Sequence, residues 1–174
     1  ASIANRIDAI NGEKGQKIAA IAGDLACCES MQALRDIMDG FKSPHMDCRQ
    51  DGAKLDPRVR AGYLFNTSIS GIESADLCLL IGTNPRIEAP IINARLRKRF
   101  LMGDFSIALV GGQADLTYAY EYLGSGPRTL EQILSRSHMF AELMDAAQRP
   151  MLILGQEALA RPDGAAVLAA GHNL

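Results

Sequence analysis

The stretch LCLLIGTNPRIEAP, Leu77 to Pro90, joins five apolar residues to a Gly-Thr-Asn-Pro turn, an acid and a second proline. Five apolar residues without alternation read as a strand covered on both faces, because a strand with one wet face would alternate apolar with polar. A proline at the first turn of the next segment suits a helix start, since the missing N–H has no intrahelical partner there. The stretch therefore reads as strand, turn, helix.

Working outward, three more apolar runs close on glycine: KIAAIAG (Lys17 to Gly23), FSIALVGG (Phe105 to Gly112) and MLILG (Met151 to Gly155). The segments between them are long enough for crossover helices, which predicts an α/β fold. The expected architecture is a Rossmann-like parallel sheet of about four strands with helices on both faces. Right-handed crossovers favour an order in which the third, second and first runs are neighbours and the fourth lies beyond the first. Helices are expected over Leu25 to Gly40, over Pro90 to Gly103, and from a Thr129/Gln132 capping box through Ala147 with a break near Ser137. The segment from Phe41 to Ala75 is polar and aperiodic, and an excursion of that length in a compact domain carries a role or covers a surface.

At 174 residues the chain is long enough for one domain with a substantial core, and residues 1–174 are read as a single domain. The first residue is Ala1, and the terminal AAVLAAGHNL reads as a helix that has only begun, so an excised fragment of a longer subunit is expected. A net charge of −2 with scattered basic residues leaves no footprint for nucleic acid. The apolar runs are far shorter than the roughly 20 residues of a membrane helix, so no direct membrane insertion is expected. Cys27, Cys28, Cys48 and Cys78 form neither a disulfide framework nor a metal-ligand spacing, and His45 adds no motif, so the expected metal site is none. No nucleophile is tied to His45, His138 or His172, and the expected catalytic residues are none.

Two readings of the turn stay open on these residues. Gly82 permits close backbone approach, Thr83 and Asn84 offer hydrogen bonds, and Arg86 could meet a phosphate. Alternatively, Asn84 closes an Asx-type turn before Pro85 while Glu88 and Pro90 prepare the helix. The dinucleotide fingerprint G-x-G-x-x-G is absent, and the turn GDLACC after the first run sets Asp24 where a pyrophosphate would lie. The run Arg97, Lys98, Arg99 reads as cations placed at a helix C-terminus.

The stretch ADLCLLIGTNPRIEAPIINARLRKRF, with Gly-x-Asn-Pro, Pro90 six residues past Asn84 and Arg95 five further on, resembles the molybdopterin oxidoreductase family. With MDCRQDG, YLFNTSISGIES, RPMLILG and RPDGAAVL, it is similar to the molybdopterin-oxidoreductase-like domain in the large iron–sulfur subunits of NADH:quinone oxidoreductase, respiratory complex I. In the molybdenum enzymes the turn contacts the pterin dinucleotide, which places that role on Gly82, Thr83, Asn84, Pro85 and Arg86. The resemblance implies that the role is vestigial here. The enzymes' next strand ends in an acid and an arginine, where this chain has Gly111, Gly112 and Gln113, and Asp115 stands too far along. No cofactor is then expected in this chain, and iron–sulfur clusters are expected in an N-terminal part of the parent subunit. The implied partners are other subunits of the complex I peripheral arm, with the loop carrying Arg49, Arg58 and Arg60 as a docking surface. The implied location is the cytoplasmic side of a bacterial inner membrane, or the matrix side in mitochondria. The alternative is a competent cofactor-binding domain of a molybdopterin oxidoreductase.

Overall fold

The computed structural model describes residues 2–11, 17–23, 25–48, 51–56 and 58–174. The chain divides into two compact units, Ala1–Asp51 and Gly52–Leu174. Asp24 and Arg49, both assigned positions by sequence, lie outside the described residues.

The first unit holds helix α1 (Ser2–Asn11), strand β1 (Ala20–Ile21), helix α2 (Cys28–Gly40) and strand β2 (Met46–Asp47). β1 and β2 pair in parallel, with Ala20 opposite Met46. The run KIAAIAG thus yields a two-residue strand in a sheet of its own, not a member of the main sheet. Its alanines offer little apolar area to bury, which is the term that would hold a central strand. α2 begins three residues later than expected: Leu25 is 96% exposed and precedes the helix, while Met38 is its buried residue.

The second unit is built on a parallel sheet in the order β5-β4-β3-β6, from β3 (Leu77–Ile81), β4 (Ser106–Val110), β5 (Glu121–Gly124) and β6 (Pro150–Leu154). All five residues of β3 are buried, as a central strand covered on both faces requires. Its alternate side chains feed two core layers. Cys78 and Leu80 pack with Ile107, Leu109, Met151 and Leu96 of helix α4 (Pro90–Leu101). Leu77, Leu79 and Ile81 pack on the opposite face with Leu130 and Ile133 of α5 (Pro127–Leu134), Phe140 of α6 (Phe140–Ala146), Ala158 of α7 (Gln156–Ala160) and Val167 of α8 (Gly164–Asn173). The α/β parallel sheet with helices on both faces is what the apolar runs predict.

The strand order differs from expectation. β6 lies directly on β3, and β5, which carries no apolar run, adds an edge next to β4 across a register irregularity at Leu109/Val110. The capping box is also corrected: α5 starts at Pro127 behind Gly126, and Thr129 is buried inside its first turn. The break near Ser137 is present, since α5 ends at Leu134 and α6 begins at Phe140, with Phe140 N–H donating to Nδ1 of His138.

Asp76 fastens the base of the sheet. Its carboxylate accepts the N–H groups of Gln148 (2.7 Å) and Arg149 (3.0 Å), tying the entrance of β6 to that of β3. Partial burial alone would raise its pKa, but these N–H donors outweigh it and hold the group below its ordinary value. Glu73 is likewise lowered, by Lys98 and then Arg95, which join the 3₁₀ turn Ser70–Ser74 to α4. Because both folded-state pKa values lie below the unfolded ones, the stability they supply is fully present above the ordinary carboxylate range and is lost as pH falls through the lowered folded values. Urea midpoints measured between about pH 7 and about pH 3 should therefore fall less steeply for Asp76→Asn than for the wild type. Parallel curves would refute the assignment.

Candidate functional site

Open parallel sheets present ligands to the carboxyl ends of their strands, and here β3 ends in the turn Gly82–Thr83–Asn84 before the single helical turn α3 (Pro85–Glu88). Gly82 has φ +54, in the left-handed region that favours glycine. Its N–H continues the ladder to Val110 C=O (2.8 Å), and a Cβ there would sit 2.6 Å from Ala158 Cβ. Gly155, at the end of β6, is tighter still: a Cβ would fall 2.0 Å from Gly82 C=O oxygen. The Ala158 side chain beside Gly82, and the Gly82 backbone beside Gly155, fill the room that a Cβ at these glycines would take.

The donors of the turn are engaged. One oxygen of Glu88 accepts both Thr83 Oγ1–H (3.1 Å) and Asn84 N–H (2.5 Å). Arg86 Nη1 donates to Asp115 Oδ2 (2.5 Å) and to Asp115 C=O (3.0 Å), across the gap between β3 and the loop after β4. The Asp115 carboxyl sits below its ordinary pKa because Thr117 N–H and then Arg86 favour its charged form. Asn84 does not close an Asx turn: its Oδ1 is buried and has no hydrogen-bond partner among the described residues. The sequence places Gly82, Thr83, Asn84, Pro85 and Arg86 together, and the structure keeps them in one corner. What it adds is Glu88 and Asp115.

The loop after β4 is strapped to α4. Asn93 Nδ2 donates to Leu116 C=O, Tyr118 O–H to Asn93 Oδ1, and Arg97 Nε to Thr117 C=O. Thr117 itself has φ +71, an unfavourable conformation for a β-branched residue. Lys98 pairs with Glu73, and Arg99 donates to the carbonyls of Ala75, Gly103 and Asp104 while covering the Phe105 ring. The run Arg97 to Arg99 is thus spent on holding helix to sheet. That agrees with the helix-terminus reading and adds partners that a dipole argument alone does not supply.

Beside the turn, a cavity of about 280 Å³ opens at the strand ends, lined by Gly82, Gly111, Gly112, Ser125, Glu157 and Arg161 among others. Arg161 is paired with Asp163 (2.7 Å). Among the described residues no group of three or more His, Cys, Asp and Glu side chains could hold a metal ion. Cys78 is buried in β3, where burial pushes its thiol well up, so it packs as an apolar residue. No described helix is long and apolar enough to cross a membrane.

In the excursion before β3, Arg58 is paired with Asp56 (2.8 Å) and Arg60 opens the 3₁₀ turn Arg60–Gly62. Val59, Tyr63, Leu64, Phe65 and Ile69 leave large apolar side chains exposed. The arginines of this segment are its conspicuous feature in the sequence; the structure adds these exposed apolar side chains beside them.

These features define an open-sheet α/β protein with a Gly-x-Asn-Pro corner at the strand ends. The molybdopterin oxidoreductase family model matches residues 1–174, and the chain belongs to that family. It is 40% identical over 167 residues to the G subunit of NADH-quinone oxidoreductase from Rickettsia conorii, covering 96% of this chain and 25% of that protein. It is 40% identical over 157 residues to the mitochondrial NADH dehydrogenase [ubiquinone] iron-sulfur protein 1 of Solanum tuberosum, covering 90% and 21%. The chain thus spans about a quarter of the length of the curated relatives it matches. A chain of the formyltransferase/hydrolase complex from Methylorubrum extorquens, crystallised with methylofuran, shares the fold at TM-score 0.62 and 13% identity, over 99% of this chain and 54% of that one.

The family name implies a pterin cofactor, and the corner does not suit its phosphates. An anion brought to Thr83, Asn84 and Arg86 would have to displace Glu88 and Asp115, and both carboxylates would repel it.

Proposed function

We propose that the chain is a structural and interaction domain of the large iron–sulfur subunit of a proton-pumping NADH:quinone oxidoreductase, carrying a retired molybdopterin-dinucleotide site. The observation that supports retirement is the engagement of Thr83, Asn84 and Arg86 by the chain's own carboxylates. On this reading the chain holds no cofactor, and the iron–sulfur clusters belong to an N-terminal part of the parent subunit. Its partners are other subunits of the peripheral arm, on the cytoplasmic side of a bacterial membrane or the matrix side in mitochondria. The exposed Tyr63, Leu64, Phe65 and Ile69, four large apolar side chains within seven residues, favour a docking role, because exposed apolar area gains by being covered.

Mass spectrometry of denatured protein should release no pterin dinucleotide; its recovery would sink the reading. Replacing Leu64, Phe65 and Ile69 by serine should reduce co-purification with the other subunits while leaving the melting temperature of the isolated chain nearly unchanged. Unaltered co-purification would move docking elsewhere.

One observation favours the alternative of a competent cofactor domain. The buried Asn84 Oδ1 lacks a donor, and a ligand N–H would supply one. The same mass-spectrometric measurement separates the two readings.

A further inference from the structure

We propose that the open edge of β6 takes up an extended, uncharged segment of another subunit as an added strand. The inference rests on the docking reading above and deepens it by naming how the partner is held.

β6 pairs with β3 on one side, and no described strand lies on its other side. In a parallel ladder alternate residues turn their N–H and C=O groups toward the neighbouring strand, and the residues between turn theirs away. The bond from Gly155 N–H to Ile81 C=O sets the phase, so Met151 and Ile153 also face β3. Leu152 and Leu154 therefore present their backbone N–H and C=O groups at the free edge. Sheets ordinarily blunt such edges with charged side chains, bulges or short strands. β5, at the opposite edge, is blunted in this way, with Glu121 exposed and a register irregularity against β4. β6 keeps an even register and carries the apolar run Met151 to Leu154, with a proline only at its first position, Pro150.

Beside this edge lies a cavity of about 560 Å³, lined by β6 itself, by Tyr63, Leu64 and Phe65, and by Leu168, Gly171 and His172 of α8. Gly171 lets the helix sit close to the strand: a Cβ there would lie 3.7 Å from Leu152 Cδ2 and 3.8 Å from Leu154 Cδ2. Among the described residues that line the cavity there is no Asp, Glu, Lys or Arg. A charged segment would lose its hydration there without gaining an opposite charge, so the complementary occupant is uncharged. It is also extended, because a helix spends its N–H and C=O groups internally and has none to offer the edge. Three of the apolar side chains that favour docking, those of Tyr63, Leu64 and Phe65, thus border the backbone groups that would hold the partner.

The test measures amide hydrogen exchange on the 174-residue chain, with a heptapeptide of alternating valine and threonine between terminal lysines as probe. In the chain alone, the Leu152 and Leu154 amides should exchange much faster than those of Ile153 and Gly155. Saturating peptide should slow Leu152 and Leu154 by about tenfold or more, and the same peptide N-methylated at alternate residues should leave them unchanged. Leu152 and Leu154 amides as slow as Ile153 in the chain alone would mean that the edge is already covered, and would overturn the proposal. No slowing by the peptide, or equal slowing by both peptides, overturns it as well. If the proposal fails in this way while the serine replacements still reduce co-purification, docking stands and only its strand form falls. Unaltered co-purification strikes the docking reading whatever the peptide does.

Discussion

Gly155→Ala is expected to destabilise the chain by about 3 kcal/mol, the upper end of the usual overpacking cost, shown as a large drop in the urea midpoint. The backbone there has φ −77, which alanine adopts freely, so conformational strain is not the cause. The new methyl would lie 2.0 Å from Gly82 O, 2.7 Å from Gly82 C and 2.7 Å from Thr83 Cβ. The first two of these atoms are backbone, and no rotamer change can move them. Relief requires β6 to draw away from β3, which breaks the bond from Gly155 N–H to Ile81 C=O (2.8 Å) and opens the adjoining corner. Gly112→Ala is the control: a Cβ there meets nothing within 4 Å, and the expected change is within about 0.5 kcal/mol. If the two substitutions behave alike, the close approach of the strand ends is not what requires Gly155. The comparison bears on function, because a glycine kept for a ligand would cost affinity when replaced, whereas one kept for packing costs stability.

Leu80→Ala should cost about 2 to 5 kcal/mol. Leu80 is fully buried in the middle of β3, opposite Leu109 on one side and Ile153 on the other. Its side chain belongs to the layer of Leu96, Phe105, Ile107 and Met151, drawn from a helix, a connecting segment and two further strands that cannot close on the void together. Ile91→Ala on α4 removes a branched side chain that is 70% exposed, and should change stability little. A loss for Leu80→Ala no larger than for Ile91→Ala would contradict the two-layer core.

Much of this architecture can be read from the chain. Continuous apolar runs place β3, β4 and β6 because strands buried on both faces need them, and Pro90 with Gly103 brackets α4 through the chemistry of helix ends. β5 escapes such a reading, since an edge strand of half-exposed residues leaves no apolar signal. KIAAIAG misleads in the opposite direction, having a strand's pattern without the bulk to occupy a core.

At the candidate site the division is sharper. The residues Gly82 to Arg86 are contiguous, so their gathering into one corner, and the resemblance they carry, follow from the linear order alone. Whether that corner is open to an anion depends on Glu88 folding back onto Thr83 and Asn84, and on Asp115 reaching Arg86 from 29 residues away. Local pattern decides which segments become strands and helices, because burial and end-capping act over neighbouring residues. Which charge meets which is settled only when β3 and β4 lie side by side, because such pairs form across space and leave no period in the chain.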